Sequence, residues 1–294
     1  MARHAFGGKS KQIMKLGVIT DIHLYPNPNT EKHFAWHNPY PIQRALAQYD
    51  AALARCLNEN VDAIIILGDI AHVGDDTSLE AAIERAATMG KPVWVVPGNH
   101  DCIVRADAIA SAVSKHAPSH ITLIDTVGER NAVLAGWRVA GLPIAGDEGG
   151  NSAHALEQPV LEVWLDDPVL FLTHFPMLSL VERCATAGLK YAGNLRNFAE
   201  TTTALHQRSA PTLVLHGHLH VRDELAQGSL LQLSFSALIE PPHEMAILEL
   251  TGDSRELTLH RRNISIASHS AALLPVLTQD ETRWQWRNGL WHRV

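Results

Sequence analysis

"VDAIIILGDI" occupies residues 61–70, and its reading decides the fold class. The run from Ala63 to Leu67 is apolar without interruption, short, and ended by Gly68 and Asp69. It reads as a buried strand rather than as one with a wet face. Upstream, "PIQRALAQYDAALARCLNEN" (41–60) has the periodicity of an amphipathic helix opened by proline, and "MKLGVIT" (14–20) is a second buried strand. Downstream, "DDTSLEAAIERAATMG" (75–90) is a helix with Gly90 at its end, with Asp75 and Asp76 as its solvated start. "PVWVV" (92–96) is a strand and "VRADAIASAVSKHA" (104–117) a helix. Strand and helix in strict alternation make parallel βαβ units, so the class is α/β.

Beyond residue 120 the strands become shorter: "ITLID", "NAVLA", "WRVAGLP", "VLFLTH", "TLVLHG", "SLLQLSF" and "MAILEL", with one helix at roughly 194–208. This half is expected to form a mixed or antiparallel sheet packed on the first. From about 263 the pattern becomes irregular and ends in "RWQWRNGLWHRV" (283–294). Trp284 and Trp286 alternate and share one face of an extended segment, while Trp291 falls outside that pairing. The expected organisation is a flexible tail at 1–13, a body at 14–262, and an extension at 263–294 that packs on the body or on a partner subunit. Arg283, Arg287 and Arg293 among the tryptophans favour an interface, hence a possible homodimer.

Composition narrows the function classes. The chain has 294 residues, 46% of them hydrophobic, enough to bury a full core. A formal net charge of −7 gives no built-in attraction to nucleic acid or to anionic membrane. Cys56, Cys102 and Cys184 are odd in number and far apart, which is no disulfide framework and fits a reducing compartment. With no signal-peptide core at the N-terminus and no apolar run of about 18 residues, a soluble cytoplasmic protein is expected.

The chemistry-bearing residues follow the strands. The first strand leads into Asp21 and His23, the next into Asp69, the third into Asn99, His100 and Asp101; later, "VLFL" leads into His174 and "TLVL" into "HGHLH". Groups just past the carboxyl ends of strands in an open α/β sheet lie where ligands bind. As extended i, i+2 pairs, Asp21 with His23 and His218 with His220 would each face one pocket. Gly68, Gly98 and Gly217 remove side chains where the backbone turns or approaches the site. Asp101 reads either as the cap of the next helix or as a catalytic group. Imidazole, carboxylate and amide oxygen together suit Mn²⁺, Fe²⁺ or Zn²⁺. The candidates Asp21, His23, Asp69, Asn99, His174, His218 and His220 are too many for one ion with an open position, and suit two ions sharing a carboxylate.

The ordered set D-x-H, G-D, G-N-H-D, T-H and G-H-x-H, from about residue 15 to about 250, resembles the calcineurin-like metallophosphoesterases. The resemblance implies a four-layer α/β/β/α sandwich with a binuclear metal site at the strand C-terminal ends. It implies one divalent ion on Asp21, His23, Asp69 and His220, and a second on Asp69, Asn99, His174 and His218, with Asp69 as the bridge. His100 would contact the phosphate or protonate the leaving oxygen, and the nucleophile would be a metal-bound hydroxide. The same resemblance leaves His216 without a role. His72 stands where purple acid phosphatases carry a ferric-binding tyrosine, so a pair of divalent ions is expected. The layout is most similar to small bacterial phosphodiesterases of the cyclic-nucleotide type, although those show two adjacent histidines where this chain has Thr173 and His174. The implied substrate is a small-molecule or nucleotide phosphodiester. The alternatives are a phosphomonoesterase, a nuclease or a non-catalytic scaffold of the same fold. His37, His72 and Tyr191, in or near loops that leave the site, are candidate substrate contacts, as are Trp36 and Tyr40.

Overall fold

Alternation along β1 (Gln12–Ile19) sets the layers. Met14, Leu16 and Val18 point into one core, Ile19 into another, and Gly17 lies so close to the first helix that an added Cβ would meet Cys56 Sγ at 2.4 Å. The computed structural model describes residues 12–29, 34–116, 120–124, 133–134, 136–142, 144–146, 153–155, 167–189, 193–253, 255–268 and 279–294. Most of the tail expected at 1–13 lies outside them, and β1 already begins at Gln12.

In chain order, β1 is followed by α1 (Ala45–Asn58), β2 (Ala63–Ile66), α2 (Asp76–Ala87), β3 (Val93–Val95), α3 (Ala108–His116) and β4 (Ile121–Leu123). The units from β1 to α3 are those read from the sequence, whereas "ITLID", expected in the sheet of the second half, forms β4 of the first sheet, and β1 to β4 pair in parallel. Asp75 caps α2, its Oδ1 accepting the Ser78 N–H at 2.9 Å. The second half contributes β5 (Val133–Leu134), β6 (Trp137–Gly141), β7 (Ile144–Gly146), β8 (Ala153–Ala155), β9 (Val169–Leu172), α4 (Val181–Thr186), α5 (Phe198–His206), β10 (Thr212–His216), β11 (Asp223–Gln227) and β12 (Leu230–Ser234). Helix α4 was not expected from the sequence, and the single helix placed at 194–208 is the shorter α5. The chain closes with β13 (Glu244–Gly252), β14 (Leu257–Ser265), β15 (Glu281–Arg287) and β16 (Leu290–Arg293).

Two large sheets result, ordered β16-β15-β14-β13-β1-β2-β3-β4 and β11-β12-β10-β9-β6-β5. The second is mixed, with β6, β9, β10 and β12 parallel and β5 and β11 antiparallel. "MAILEL", expected in that sheet, instead forms β13 and pairs antiparallel with β1 in the first sheet. Among the described residues, three of the apolar clusters separate four layers. Leu53, Leu79, Ile83 and Ile109 of α1–α3 pack on Ile64, Ile66, Val93 and Val95. Leu16, Ile65 and Trp94 face Leu170, Leu213 and Leu231 between the sheets. Phe171 and Val214 meet Leu205 of α5 on the far side. The architecture is the α/β/β/α sandwich.

The C-terminal strands differ from the reading of an irregular extension. β14 runs across residue 263, so the boundary placed there falls inside a strand. β15 pairs with β14, and a hairpin returns Trp291 directly opposite Trp286. All three indoles thereby enter the core between the sheets, at 8% (Trp284), 3% (Trp286) and 6% (Trp291) exposure. Trp291 belongs with the pair after all, because the turn resets the register that a linear alternation would continue. No helix among the described residues is long and apolar enough to cross a membrane.

Candidate functional site

β1, β2, β3, β9 and β10 all end at one rim, and the residues past their ends converge there. The local backbone is not the extended one expected for the i, i+2 pairs. Asp21 (φ 52°), His23 (φ 52°), Asp69 (φ 50°), His218 (φ 67°) and His220 (φ 56°) all sit in the left-handed region. A non-glycine residue there costs on the order of 1 kcal/mol or more and persists only where its surroundings hold it. The holders are visible. Ile22 and His23 N–H both donate to Asp69 O at 2.9 Å, Leu238 N–H to Thr20 O and Ile239 N–H to Asp21 O at 3.0 Å each. Close approach does the rest: a Cβ on Gly98 would lie 2.2 Å from Asp69 Oδ1, and one on Gly217 2.6 Å from Asp21 Oδ2.

Three groups of atoms that could hold a metal ion form among the described residues, the atoms of each within 4.8 Å of one another: Asp21/His23/His220, Asp69/His174/His218, and His23/His72/His100, the one group without a carboxylate. Asp69 lies between the first two, its Oδ2 3.2 Å from His174 Nε2 and 3.7 Å from His23 Nε2. Asp21 Oδ1 is 3.3 Å from His220 Nε2 and 3.8 Å from His174 Nε2. Every member of the two carboxylate-bearing groups is buried, as is Asn99, next in sequence to His100, whose backbone N–H reaches Asp69.

Outer partners orient the rings. His174 Nδ1 donates to Leu67 O at 2.6 Å and His220 Nδ1 to Glu240 Oε2 at 2.7 Å, so both direct Nε2 at the carboxylates. His23 Nδ1 is 3.1 Å from His72 Nδ1, and its buried Nε2 has no hydrogen-bond partner among the described residues. An orphaned imidazole nitrogen facing a carboxylate in a buried site is the expected state of a cation ligand. The electrostatics fit as well. Burial lowers His174 and His220, but the Asp69 and Asp21 carboxylates outweigh it and raise them to about 9 and about 10. Burial leads in keeping His23 and His218 well below the ordinary range, so both present a lone pair. The carboxylates thus gather positive charge at the rim, the role a divalent cation fills, and the donor set suits Mn²⁺, Fe²⁺ or Zn²⁺.

His100 is partly exposed beside this cluster, its ring centroid 4.8 Å from that of His23. Its Nδ1 donates to His72 O at 2.6 Å and its backbone N–H to Asp69 Oδ1 at 2.9 Å, leaving Nε2 able to exchange a proton. Asp101 is no helix cap: its carboxylate accepts Ala71 N–H at 2.9 Å and Gly98 N–H at 3.0 Å, and α3 starts later, at Ala108. Burial, then Asp69, pushes that carboxyl up to about 7. His72 is buried behind His23, and burial followed by His100 lowers it to about 4. The His37 ring nitrogen Nε2 lies 3.4 Å from Leu219 O, and its backbone is fixed to Glu240 at the rim. Tyr191 lies outside the described residues. His216 ends β10 fully buried, its Nδ1 3.0 Å from Gly217 O, and burial lowers it to about 3. Sequence reasoning missed Glu240 and Thr20, whose Oγ1 donates to Asp21 Oδ2 at 2.7 Å. A lone Glu before two prolines and a Thr ending a strand carry no motif that would reveal them.

Comparison with known proteins identifies the family and the fold. The chain is 27% identical over 214 residues, 71% of each protein, to the 3′,5′-cyclic adenosine monophosphate phosphodiesterase CpdA of Haemophilus influenzae. A UDP-2,3-diacylglucosamine hydrolase of Xanthomonas campestris is 33% identical over 104 residues, 33% of this chain and 42% of that one. Among solved structures, a dimetal phosphatase from Danio rerio superposes with a TM-score of 0.59 at 15% identity, covering 86% of this chain and 99% of the other. A purple acid phosphatase from yellow lupin gives 0.52 at 13% identity over 93% and 54%. These two likenesses are likenesses of fold. The family model for calcineurin-like phosphoesterases matches residues 14–222, a span that holds the whole rim from Asp21 to His220, and by that match the chain belongs to the calcineurin-like phosphoesterase family.

Proposed function

We propose that the protein is a phosphodiesterase with two divalent metal ions, acting on a small-molecule or nucleotide phosphodiester. The observation that carries this reading is the place of Asp69, whose Oδ2 lies 3.2 Å from His174 Nε2 in one ligand group and 3.7 Å from His23 Nε2 in the other. Asp21, His23 and His220 would hold one ion, Asn99, His174 and His218 the other, and Asp69 would serve both. When bound, such ions polarise a phosphoryl oxygen and activate water at neutral pH. The chain's own residues do the rest. Leu67 O and Glu240 keep Nε2 of His174 and His220 aimed inward. His100, tethered through Nδ1, would donate the proton that the leaving oxygen needs.

Charge supports a diester. Two divalent ions against the carboxylates of Asp21, Asp69 and Glu240 leave roughly one net positive charge, and about none once the activated water has lost its proton, which a singly charged diester matches better than a doubly charged monoester. The relative named as a cyclic nucleotide phosphodiesterase points the same way. The test is a hydrolysis panel with Mn²⁺: bis-(4-nitrophenyl) phosphate against 4-nitrophenyl phosphate, then cyclic nucleotides and glycerophosphodiesters, with metal content measured in parallel. Diester preference with about two ions per chain is expected. A preference for the monoester would replace this reading with a phosphomonoesterase.

A further inference from the structure

Glu240 follows β12 on a segment seated against the first motif by the Leu238 and Ile239 N–H donors, and it is 1% exposed. A buried carboxylate is tolerated when hydrogen bonds replace the water it has lost. Here the donors come from two different places. Oε2 accepts from His220 Nδ1 at 2.7 Å, while Oε1 accepts the backbone N–H of His37 at 2.7 Å and also that of Asn38. His220 belongs to a ligand group at the rim. His37 and Asn38 belong to the loop 34–41, which carries Trp36, 45% exposed with its ring 6.5 Å from that of His220. The same loop places Tyr40 5.8 Å from His220 and 5.2 Å from His23, ring to ring. Within the loop, the Tyr40 N–H closes on Phe34 O at 2.7 Å. One side chain therefore joins an imidazole at the rim to the wall beside it.

We propose that Glu240 is a positioning residue that couples cation binding at Asp21, His23 and His220 to the order of the loop 34–41. The inference rests on the metal-site reading above. A carboxylate on Nδ1 fixes the ring and makes Nε2 a better donor to a cation. Seating the loop N–H pair on Oε1 holds that carboxylate in place. Coupling between two binding events is reciprocal, so a cation that gains from a seated Glu240 must also favour the seated loop. Trp36 and Tyr40 would then be held more firmly beside the substrate once the cation is bound.

The experiment uses the full chain, stripped of metal and then titrated with Mn²⁺, as wild type, Glu240→Gln and Glu240→Asp. Calorimetry reads Mn²⁺ affinity, and amide hydrogen exchange reads the peptide 34–41. In the wild type, Mn²⁺ is expected to slow exchange at the His37 and Asn38 amides. Glu240→Gln keeps an oxygen for those amides but loses the charge on His220. It should weaken one of the two ions about 10–100-fold, leave the other unchanged, and uncouple loop exchange from Mn²⁺. Glu240→Asp should recover part of that affinity. Wild-type affinity for both ions in Glu240→Gln would overturn the coupling. Wild-type loop amides that exchange equally with and without Mn²⁺ would overturn it too, and that measurement stands even where the variants fail to fold. A wild type that binds no Mn²⁺ overturns the metal reading together with this one, whereas two bound ions with an unresponsive loop overturn this one alone.

Discussion

The rim of strand ends and the C-terminal hairpin are built by opposite rules. At the rim, Asp21, His23, Asp69, His218 and His220 hold left-handed backbone, which is uncommon for any non-glycine residue although Asp and His tolerate it better than most. The hairpin β15–β16 is regular, and its tryptophans are satisfied as well as buried. Trp284 Nε1 donates to Glu224 Oε2 at 2.8 Å and Trp291 Nε1 to Ser229 O at 3.0 Å. The rim is imposed on the chain by neighbours and aims polar atoms at one point. The hairpin follows local preference and covers apolar area between two sheets. Chemistry should therefore depend on the first and stability on the second.

The largest effect expected is at Asp69. Asp69→Asn should reduce hydrolysis to background and lower the metal content measured by mass spectrometry, because the Asp69 carboxylate lies close to an imidazole of each ligand group. A variant still fully active with two ions would break the assignment. His100→Ala comes next. It should keep both ions and lose about 10²–10⁴-fold in kcat, and lose least on esters with acidic leaving groups that need no proton. Loss of metal in that variant would move His100 among the ligands.

The opposite behaviour is expected of the hairpin. Trp286→Ala should destabilise by about 3–5 kcal/mol in denaturant unfolding while the folded fraction keeps its kcat. The three indoles are buried within the chain's own sheets, so its mass by light scattering should not change. A loss of activity at unchanged stability would erase the contrast between the two regions.

The smallest effect sharpens the stability side. Glu59 receives Arg262 at 2.7 Å, Lys15 at 3.0 Å and Arg55 at 2.7 Å, joining α1 to β1 and β14. The Arg262 hydrogen bond leads in lowering its carboxyl from 4.5 to about 2. A depressed carboxyl stabilises the fold above its unfolded value, and that contribution is lost as the pH falls from about 4.5 toward about 2. Glu59→Gln should flatten the fall of melting temperature over that window, and should leave it unchanged near neutrality relative to its own value at pH 6. An identical pH profile in both proteins would remove the role given to this cluster.

Legibility follows from how local each feature is. The βαβ half was readable because "VDAIIILG" is an unbroken apolar run and the helix at 75–90 carries its own periodicity, whereas the cap made by Asp75, read as a solvated start, needed the structure. The polar residues of the rim were readable because each directly follows a strand. Their backbone was not. Extended pairs were expected, whereas tertiary hydrogen bonds from Leu238 and Ile239 hold the first motif beside the carboxylate segment. β14 was missed because "LTLHRRNIS" is half-exposed and rich in charge, and it becomes a strand by pairing with β13 and β15.

By itself, then, the sequence determined which residue types stand at which strand ends and which face of each element is apolar. Burial periodicity and turn chemistry act over a few residues and need no partner to be read. Only the tertiary structure decided which sheet β13 joins, that Trp291 faces Trp286, and that Glu240 lies against His220 and the His37 backbone. Glu240 is 20 residues from the first of these partners and 203 from the second. A carboxylate can be buried there only because donors brought by distant segments replace its water, and no short-range pattern in the chain records which donors those are.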